Sequence, residues 1–198
     1  MTQIKVIFWD LEGVCFENII EPTLKLYGLK YEEPQRKAWK ECIIGKISER
    51  EFFERTMKGT SHENKIDEVI QNSAKIVKVK QDGALPLIKN LQGKITQGVI
   101  SNQALYWIDV MHNISGLRNY FDSNIFIVSA SQDIACDKSG TKIFEIALER
   151  AGVRGNEALF FDDKQKYVDM ARKAGLNAEL FINGNEAERV LKEKYNML

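Results

Sequence analysis

The sequence holds only two histidines and three cysteines, His62, His112, Cys15, Cys42 and Cys136. The cysteines are odd in number, widely spaced and free of any CxxC pair, which fits a reducing compartment. A catalytic thiol would need a base and has little to choose from, so Cys15 and Cys136 read as small core-like residues. Charge of one sign is also missing. Lys+Arg and Asp+Glu both number 28, so no global field draws the chain to nucleic acid or to an anionic membrane. Long apolar runs are absent too: the first, after Met1 to Lys5, stops at Asp10. That is too short for a signal-peptide core with its flanks, and nothing later approaches the ~18 apolar residues of a membrane span. The cytoplasm is the expected location.

What remains is ordinary globular composition, 44% hydrophobic and 28% charged over 198 residues. That suits one sizeable domain, or a main domain with a smaller insert. Five short apolar stretches lack helical spacing and read as buried parallel strands: Ile4–Trp9, Ile95–Ile100, Ile125–Val128, Ala158–Phe161 and Ala178–Ile182. Helical patterns alternate with the later ones. Thr141–Ala151 carries Ile143, Phe144, Ala147 and Leu148 on one stripe and stops before Gly152, and Lys166–Ala174 stops in the same way before Gly175. The pattern predicts a doubly wound, Rossmann-like α/β sheet.

One interval breaks the rhythm. Residues 10–94 are far more than a βαβ crossover requires. The stretch from Glu17 to Lys80 reads as helical throughout, with Pro34 at a first helical position, a capping box at Ser48-Glu49-Arg50-Glu51, and Ser61 capping a further helix towards Val79. The expected organisation is an α/β core of residues 1–16 and 81–198 with an all-helical cap of residues 17–80. The cap leaves the first strand at its carboxyl end and should sit over that edge of the sheet.

Ligands of open α/β sheets bind beyond the carboxyl ends of the strands, and there this sequence places reactive groups. The first strand runs into Asp10-Leu11-Glu12-Gly13-Val14, the second ends at Ser101-Asn102, a later one ends at Asp162-Asp163, and Lys138 lies shortly before a helix. Each has a bland reading by itself: an acidic turn, an N-cap, a helix cap and a solvated lysine. Their order along the chain, each at or just beyond a strand end, favours one shared crevice. Two like charges ~4 Å apart repel by roughly 4 kcal/mol at an effective dielectric of 20, so gathered carboxylates need a cation. An all-oxygen set suits Mg²⁺, which commonly takes substrate phosphate oxygens as its remaining ligands.

The ordered set resembles the motifs of the haloacid dehalogenase-like hydrolases: strand plus Asp-x-Asp-Gly-Thr/Val (here Asp10 to Val14), strand ending in Ser or Thr (Ser101), a Lys before Ile-Phe (Lys138, Ile143, Phe144), and an apolar strand ending in two acids (Asp162, Asp163). The segment Val168 to Leu176 resembles the family's helix after the fourth motif, so the resemblance covers essentially the whole chain. The insert resembles the type I helical cap found in glucose-1-phosphate phosphatase and in the amino-terminal domain of soluble epoxide hydrolase, partly through Gly45-Lys46-Ile47-Ser48-Glu49 and Phe52.

The resemblance implies a magnesium-dependent phosphatase acting on a small phosphorylated metabolite, with a sugar phosphate as one candidate. It implies Asp10 as the nucleophile that becomes phosphorylated, and Glu12 as acid and base. It assigns Ser101, Asn102 and Lys138 to the phosphoryl group, with Lys138 also neutralising Asp10. Mg²⁺ is implied at Asp10, the Glu12 carbonyl, Asp162 and Asp163. Two departures stand out. Position 12 is glutamate where most family phosphatases have aspartate, a variant shared with enolase-phosphatase and a homoserine phosphotransferase, and the third motif lacks its usual prolines. These departures are the support for an alternative class, a weakly active or non-catalytic binding module on the same fold. Metal-independent dehalogenation ranks lower, since it needs neither an acid at position 12 nor a metal-site pair. Phe16, Trp39 and Lys46 are candidate substrate readers, weighed against plain core or surface roles.

Overall fold

The computed structural model describes residues 3–197. Its sheet has five parallel strands, β1 (Val6–Trp9), β2 (Thr96–Ser101), β3 (Phe126–Val128), β4 (Ala158–Asp162) and β5 (Asn177–Leu180), in the spatial order β3-β2-β1-β4-β5. The expected strands are all present, each shifted by one or two residues at its ends. Residues alternate across the sheet. Ile7 and Trp9 join Val99, Leu159 and Phe161 in the core on one face, while Val6 and Phe8 join Ile100, Ile127 and Phe160 on the other. Both faces are covered, which explains why β1 reads as an unbroken apolar run. Trp9 is fully buried and stacks on Phe161 at 4.8 Å, and its indole N–H donates to Gln97 Oε1 at 3.1 Å. The Gln97 amide in turn donates to the Ile88 carbonyl, so this buried polar pair is satisfied within the core.

Four helices lie between β1 and residue 80: α1 (Ile20–Leu26), α2 (Gln35–Ile43), α3 (Glu49–Met57) and α4 (Ile66–Ile76). The insertion is therefore helical in pieces, not throughout. Ser61 does not cap α4, which begins five residues later behind Lys65; Ser61 lies in a turn, and the Thr60 hydroxyl accepts from the His62 N–H there. Val79 is extended: it bridges Phe16 antiparallel, and the Glu17 and Lys80 N–H groups donate to the carbonyls of Lys78 and Cys15, each at 2.9 Å. The two connecting segments thus run side by side, and the insertion leaves and rejoins the sheet at one place. Ser48 does cap α3, accepting from the Glu51 N–H, but the Glu51 carboxylate turns to Arg55 and the capping box is half made. Pro34 is the residue before α2.

The rest of the core carries α5 (Leu85–Leu91), α6 (Leu105–Ser115), α7 (Lys142–Ala151), α8 (Gln165–Lys173) and α9 (Gly184–Tyr195). Trp107 of α6 meets Trp39 of α2 at 5.4 Å and Phe53 of α3 at 5.9 Å, both edge-on. Such pairs contribute ~0.5–1.5 kcal/mol each beyond the area they bury. Core and insertion share one continuous apolar cluster through these rings. Phe16 and Trp39 are part of it, which gives them packing roles, while Lys46 is exposed. Cys15 and Cys42 are buried, and Cys136 is half-buried; all three are free thiols. Among the described residues no helix is long and apolar enough to cross a membrane.

Candidate active site

The strand order reverses beside β1: β2 lies on one side and β4 on the other. Side chains at the carboxyl ends of these three strands meet in the crevice this creates. Asp10 follows β1 directly, and its N–H donates to the Phe161 carbonyl at 2.9 Å, which extends the β1–β4 ladder past the strand and sets Asp10 beside Asp162. Ser101 is the last residue of β2, and its hydroxyl donates to Asp10 Oδ1 at 2.9 Å. Lys138 sits in the loop after β3, where its N–H donates to Asn102 Oδ1 at 2.9 Å. Its ammonium lies 2.8 Å from Asp10 Oδ2 and 2.5 Å from Asp162 Oδ2 with only 1% of the side chain exposed. The rings of Phe160 and Tyr167 flank it at 5.6 and 4.9 Å.

Burial alone would depress the Lys138 ammonium, but Asp10 and Asp162 together outweigh it and hold the group well above the usual lysine value. Burial also pushes the Asp162 carboxyl up, opposed by Lys138 and reinforced by Asp10. The Asp163 carboxyl is raised in the same way, with the Lys164 charge opposing. The crevice therefore gathers desolvated carboxylates, with Lys138 bound between Asp10 and Asp162 and the Lys164 charge nearby.

The third flank is a tight turn from Leu11 to Phe16. The N–H groups of Cys15 and Phe16 both donate to the Leu11 carbonyl, and Gly13 adopts φ +86°. A Cβ on Gly13 would stand 2.3 Å from Asp163 Oδ2, so only glycine lets this turn close over the acid pair. Glu12 projects from the same turn. Its Oε1 accepts from the Ile19 N–H at 2.7 Å and its Oε2 from the Gln103 amide at 3.1 Å. Burial raises the Glu12 carboxyl, with the Ile19 N–H and the Lys164 charge opposing.

Carboxylate oxygens of Asp10, Asp162 and Asp163 lie within 4.8 Å of one another. Asp163 Oδ1 is buried without a hydrogen-bond partner, a position that is costly unless something electropositive meets it. That orphaned oxygen, the Gly13 cradle and the all-oxygen donor set fit a hard divalent cation such as Mg²⁺. The Asn102 amide nitrogen, also buried and unpartnered, supplies a free donor in the same crevice. The structure thus gathers Asp10, Glu12, Ser101, Asn102, Lys138, Asp162 and Asp163 into one place. It adds four residues that sequence reasoning passed over. Gln103 touches Glu12, and Lys164 sets its charge near Asp163, Asp10 and Glu12. Tyr31 of the insertion is pushed up to about 12 by burial and by the Glu12 charge, and Tyr167 lies beneath Lys138. Gln103 and Lys164 directly follow recognised motifs, which is the signal that marks them; Tyr31 has none.

A family description, haloacid dehalogenase-like hydrolase, matches residues 4–175. Over 127 residues the chain is 31% identical to the pyrimidine 5'-nucleotidase YjjG of Escherichia coli (strain K12). That match covers 63% of this chain and 54% of the relative, so the chain spans about half the length of the curated relative it matches. Among solved structures, a haloacid dehalogenase family enzyme from Bacteroides thetaiotaomicron superposes with TM-score 0.79 at 18% identity, covering 97% of this chain and 100% of that one. The same enzyme in complex with magnesium and inorganic phosphate gives 0.70 at 21% identity over 91% and 96% of the two chains. A predicted hydrolase of this kind from Porphyromonas gingivalis gives 0.72 at 20% identity over 97% and 100%.

Proposed function

This chain belongs to the haloacid dehalogenase-like hydrolases, and from that premise we propose that it is a Mg²⁺-dependent phosphatase of small phosphorylated metabolites, with Asp10 as nucleophile. The observation that carries the reading is the state of Asp10. It is a buried carboxylate fixed at one oxygen by the Ser101 hydroxyl and at the other by the Lys138 ammonium, at the mouth of the sheet's switch point. A carboxylate so held is oriented for attack.

One oxygen of Asp10 attacks phosphorus, and the bond from phosphorus to the leaving alcohol breaks. Glu12 gives the departing alkoxide its proton. Water, losing a proton to the Glu12 carboxylate, then attacks the phosphoaspartate, which frees inorganic phosphate and restores Asp10. Ser101, the Asn102 amide and Lys138 meet the phosphoryl oxygens, and Lys138 balances the charge that moves between Asp10 and the phosphoryl group. Asp10, Asp162, Asp163 and the Glu12 carbonyl would hold Mg²⁺, which would supply positive charge against these carboxylates and the phosphoryl oxygens. Of the Asp162/Asp163 pair, Asp163 is the more direct, because Asp162 is already engaged by Lys138 and by the Lys164 N–H.

The insertion, residues 17–80 with its partner core of 1–16 and 81–198, covers the leaving-group side. A sugar phosphate is one substrate within this class. Three unpaired cysteines support a cytoplasmic location, and the balanced charge supports a small-molecule partner over nucleic acid or membrane. Hydrolysis of p-nitrophenyl phosphate with and without chelator tests the reading. Activity should disappear with excess chelator and return with Mg²⁺, and Asp10→Asn should be inactive yet folded. Full turnover by Asp10→Asn, or full activity in excess chelator, refutes it.

A further inference from the structure

Glutamate at position 12 carries its carboxylate one methylene further from the backbone than aspartate does, and the structure shows what meets it there. Gln103, two residues beyond Ser101 and wholly buried, donates from Nε2 to Glu12 Oε2 at 3.1 Å. The orientation of this amide is determined by its other end. Gln103 Oε1 accepts from the Ala104 N–H at 3.0 Å, so a flipped amide would set oxygen against the Glu12 carboxylate and nitrogen against an N–H. The backbone of Gln103 is tied down as well: its N–H donates to the Ser129 hydroxyl at 3.2 Å, and that hydroxyl donates to the Ile43 carbonyl at the end of α2. No charge, metal or phosphoryl oxygen is needed to explain the residue. What the residue has is a buried amide of fixed orientation aimed at the Glu12 carboxylate.

We propose that Gln103 is a positioning residue for the proton-transferring carboxylate, and that Glu12 and Gln103 work as a matched pair in which the amide steadies the longer acid arm. This rests on the reading of Glu12 as acid and base. The Ile19 N–H holds the other oxygen at 2.7 Å, so the carboxylate is pinned at both oxygens and rotation about its last bond is arrested. Without Gln103 only one pin remains, and the arm gains a swing that proton transfer does not tolerate. An aspartate at position 12 would stop short of Gln103 and have nothing to gain from it.

The experiment is a double-substitution cycle, read on p-nitrophenyl phosphate and on an alkyl ester such as glycerol 3-phosphate with Mg²⁺ present. Gln103→Met keeps length and bulk but removes the donor. It should lower kcat on the alkyl ester by on the order of 10- to 10²-fold, the scale of a misplaced catalytic group. KM should stay within about twofold, as expected when ground-state binding is untouched, and the loss on the aryl ester should be smaller. In a Glu12→Asp background, Gln103→Met should change kcat by less than about twofold, since groups that do not touch act independently. Equal losses in the two backgrounds, or none in the wild-type background, overturn the proposal. Should Gln103→Met fail to fold, Gln103→Asn keeps an amide that cannot reach Glu12 and is judged by the same outcomes. Failure of the underlying reading looks different: Glu12→Gln would then be silent on both esters.

Discussion

The two ends of the sheet treat their carboxylates in opposite ways. At the amino ends of the strands, Glu157 is clasped by Lys5 at 2.7 Å and by Arg154 at 3.0 Å, and accepts the Arg154 N–H as well. Arg154 first and Lys5 second hold its carboxyl far below the usual range. At the carboxyl ends, Glu12, Asp162 and Asp163 are all raised, each chiefly by burial. One end is a neutralised ion pair that supports the fold, while the other keeps excess negative charge and an orphaned oxygen. Unmet electrostatic demand, more than acidity as such, separates a site from a structural bridge.

The largest effect expected from this contrast is on catalysis at Glu12. Glu12→Gln should slow hydrolysis of an alkyl phosphate by on the order of 10²–10⁴-fold and that of an activated aryl phosphate by less, since an aryl oxide leaves without a proton. Steady-state rates on both esters decide it, and equal small losses would retire Glu12 from proton transfer. Lys138→Met comes next. It should lower kcat by roughly 10²–10³-fold, the usual cost of one lost electrostatic donor. It should also destabilise the protein by about 3–5 kcal/mol, because Asp10 and Asp162 lose their shared buried partner; urea unfolding measures this, and a wild-type midpoint would show the trio to be slack.

The third effect reverses sign between the two ends. Asp163 has a folded pKa above its unfolded one, so its ionisation opposes folding as the pH rises through that range. Asp163→Asn should therefore raise the melting temperature of the metal-free protein at neutral pH while removing the upward shift that Mg²⁺ gives the wild type by binding the native state. A drop in metal-free stability, or a retained Mg²⁺ shift, would move the metal elsewhere. The smallest effect is at Glu157, whose depressed folded value gives stability present above the ordinary glutamate range and lost as the pH falls towards the folded value. Glu157→Gln should flatten the acid limb of a melting-temperature profile and lower its neutral plateau only slightly, as Lys5 and Arg154 are exposed and water screens their attraction to Glu157.

The candidate site was legible because strand ends are punctuated: an apolar run that stops at Asp10, Ser101 or Asp162 marks both a fold position and a place where polar groups gather. The insertion was harder to read. Its four short helices are set by contacts with α6 and with each other, so the local cap signal at Ser61 was overridden by a turn, and Val79 was drawn into an extended pairing with Phe16. Helices α5 and α9 drew no expectation at all, and α5 begins without any side-chain cap. Gln103 was hidden for another reason. Glutamine has no motif of its own, and its meaning comes from a partner 91 positions away.

All three tryptophans are buried, and two of them, Trp39 and Trp107, meet edge-on where the insertion packs on α6. This makes the molecule its own optical reporter. Trp9 sits one residue before Asp10 at the end of β1, and its emission follows the sheet. Trp39 and Trp107 follow the seam. An insertion that loosened while the sheet held would shift the emission of the seam pair to the red and leave Trp9 unmoved, so single-tryptophan variants would show separate spectral transitions. Because one apolar cluster runs through all three rings, their transitions should coincide.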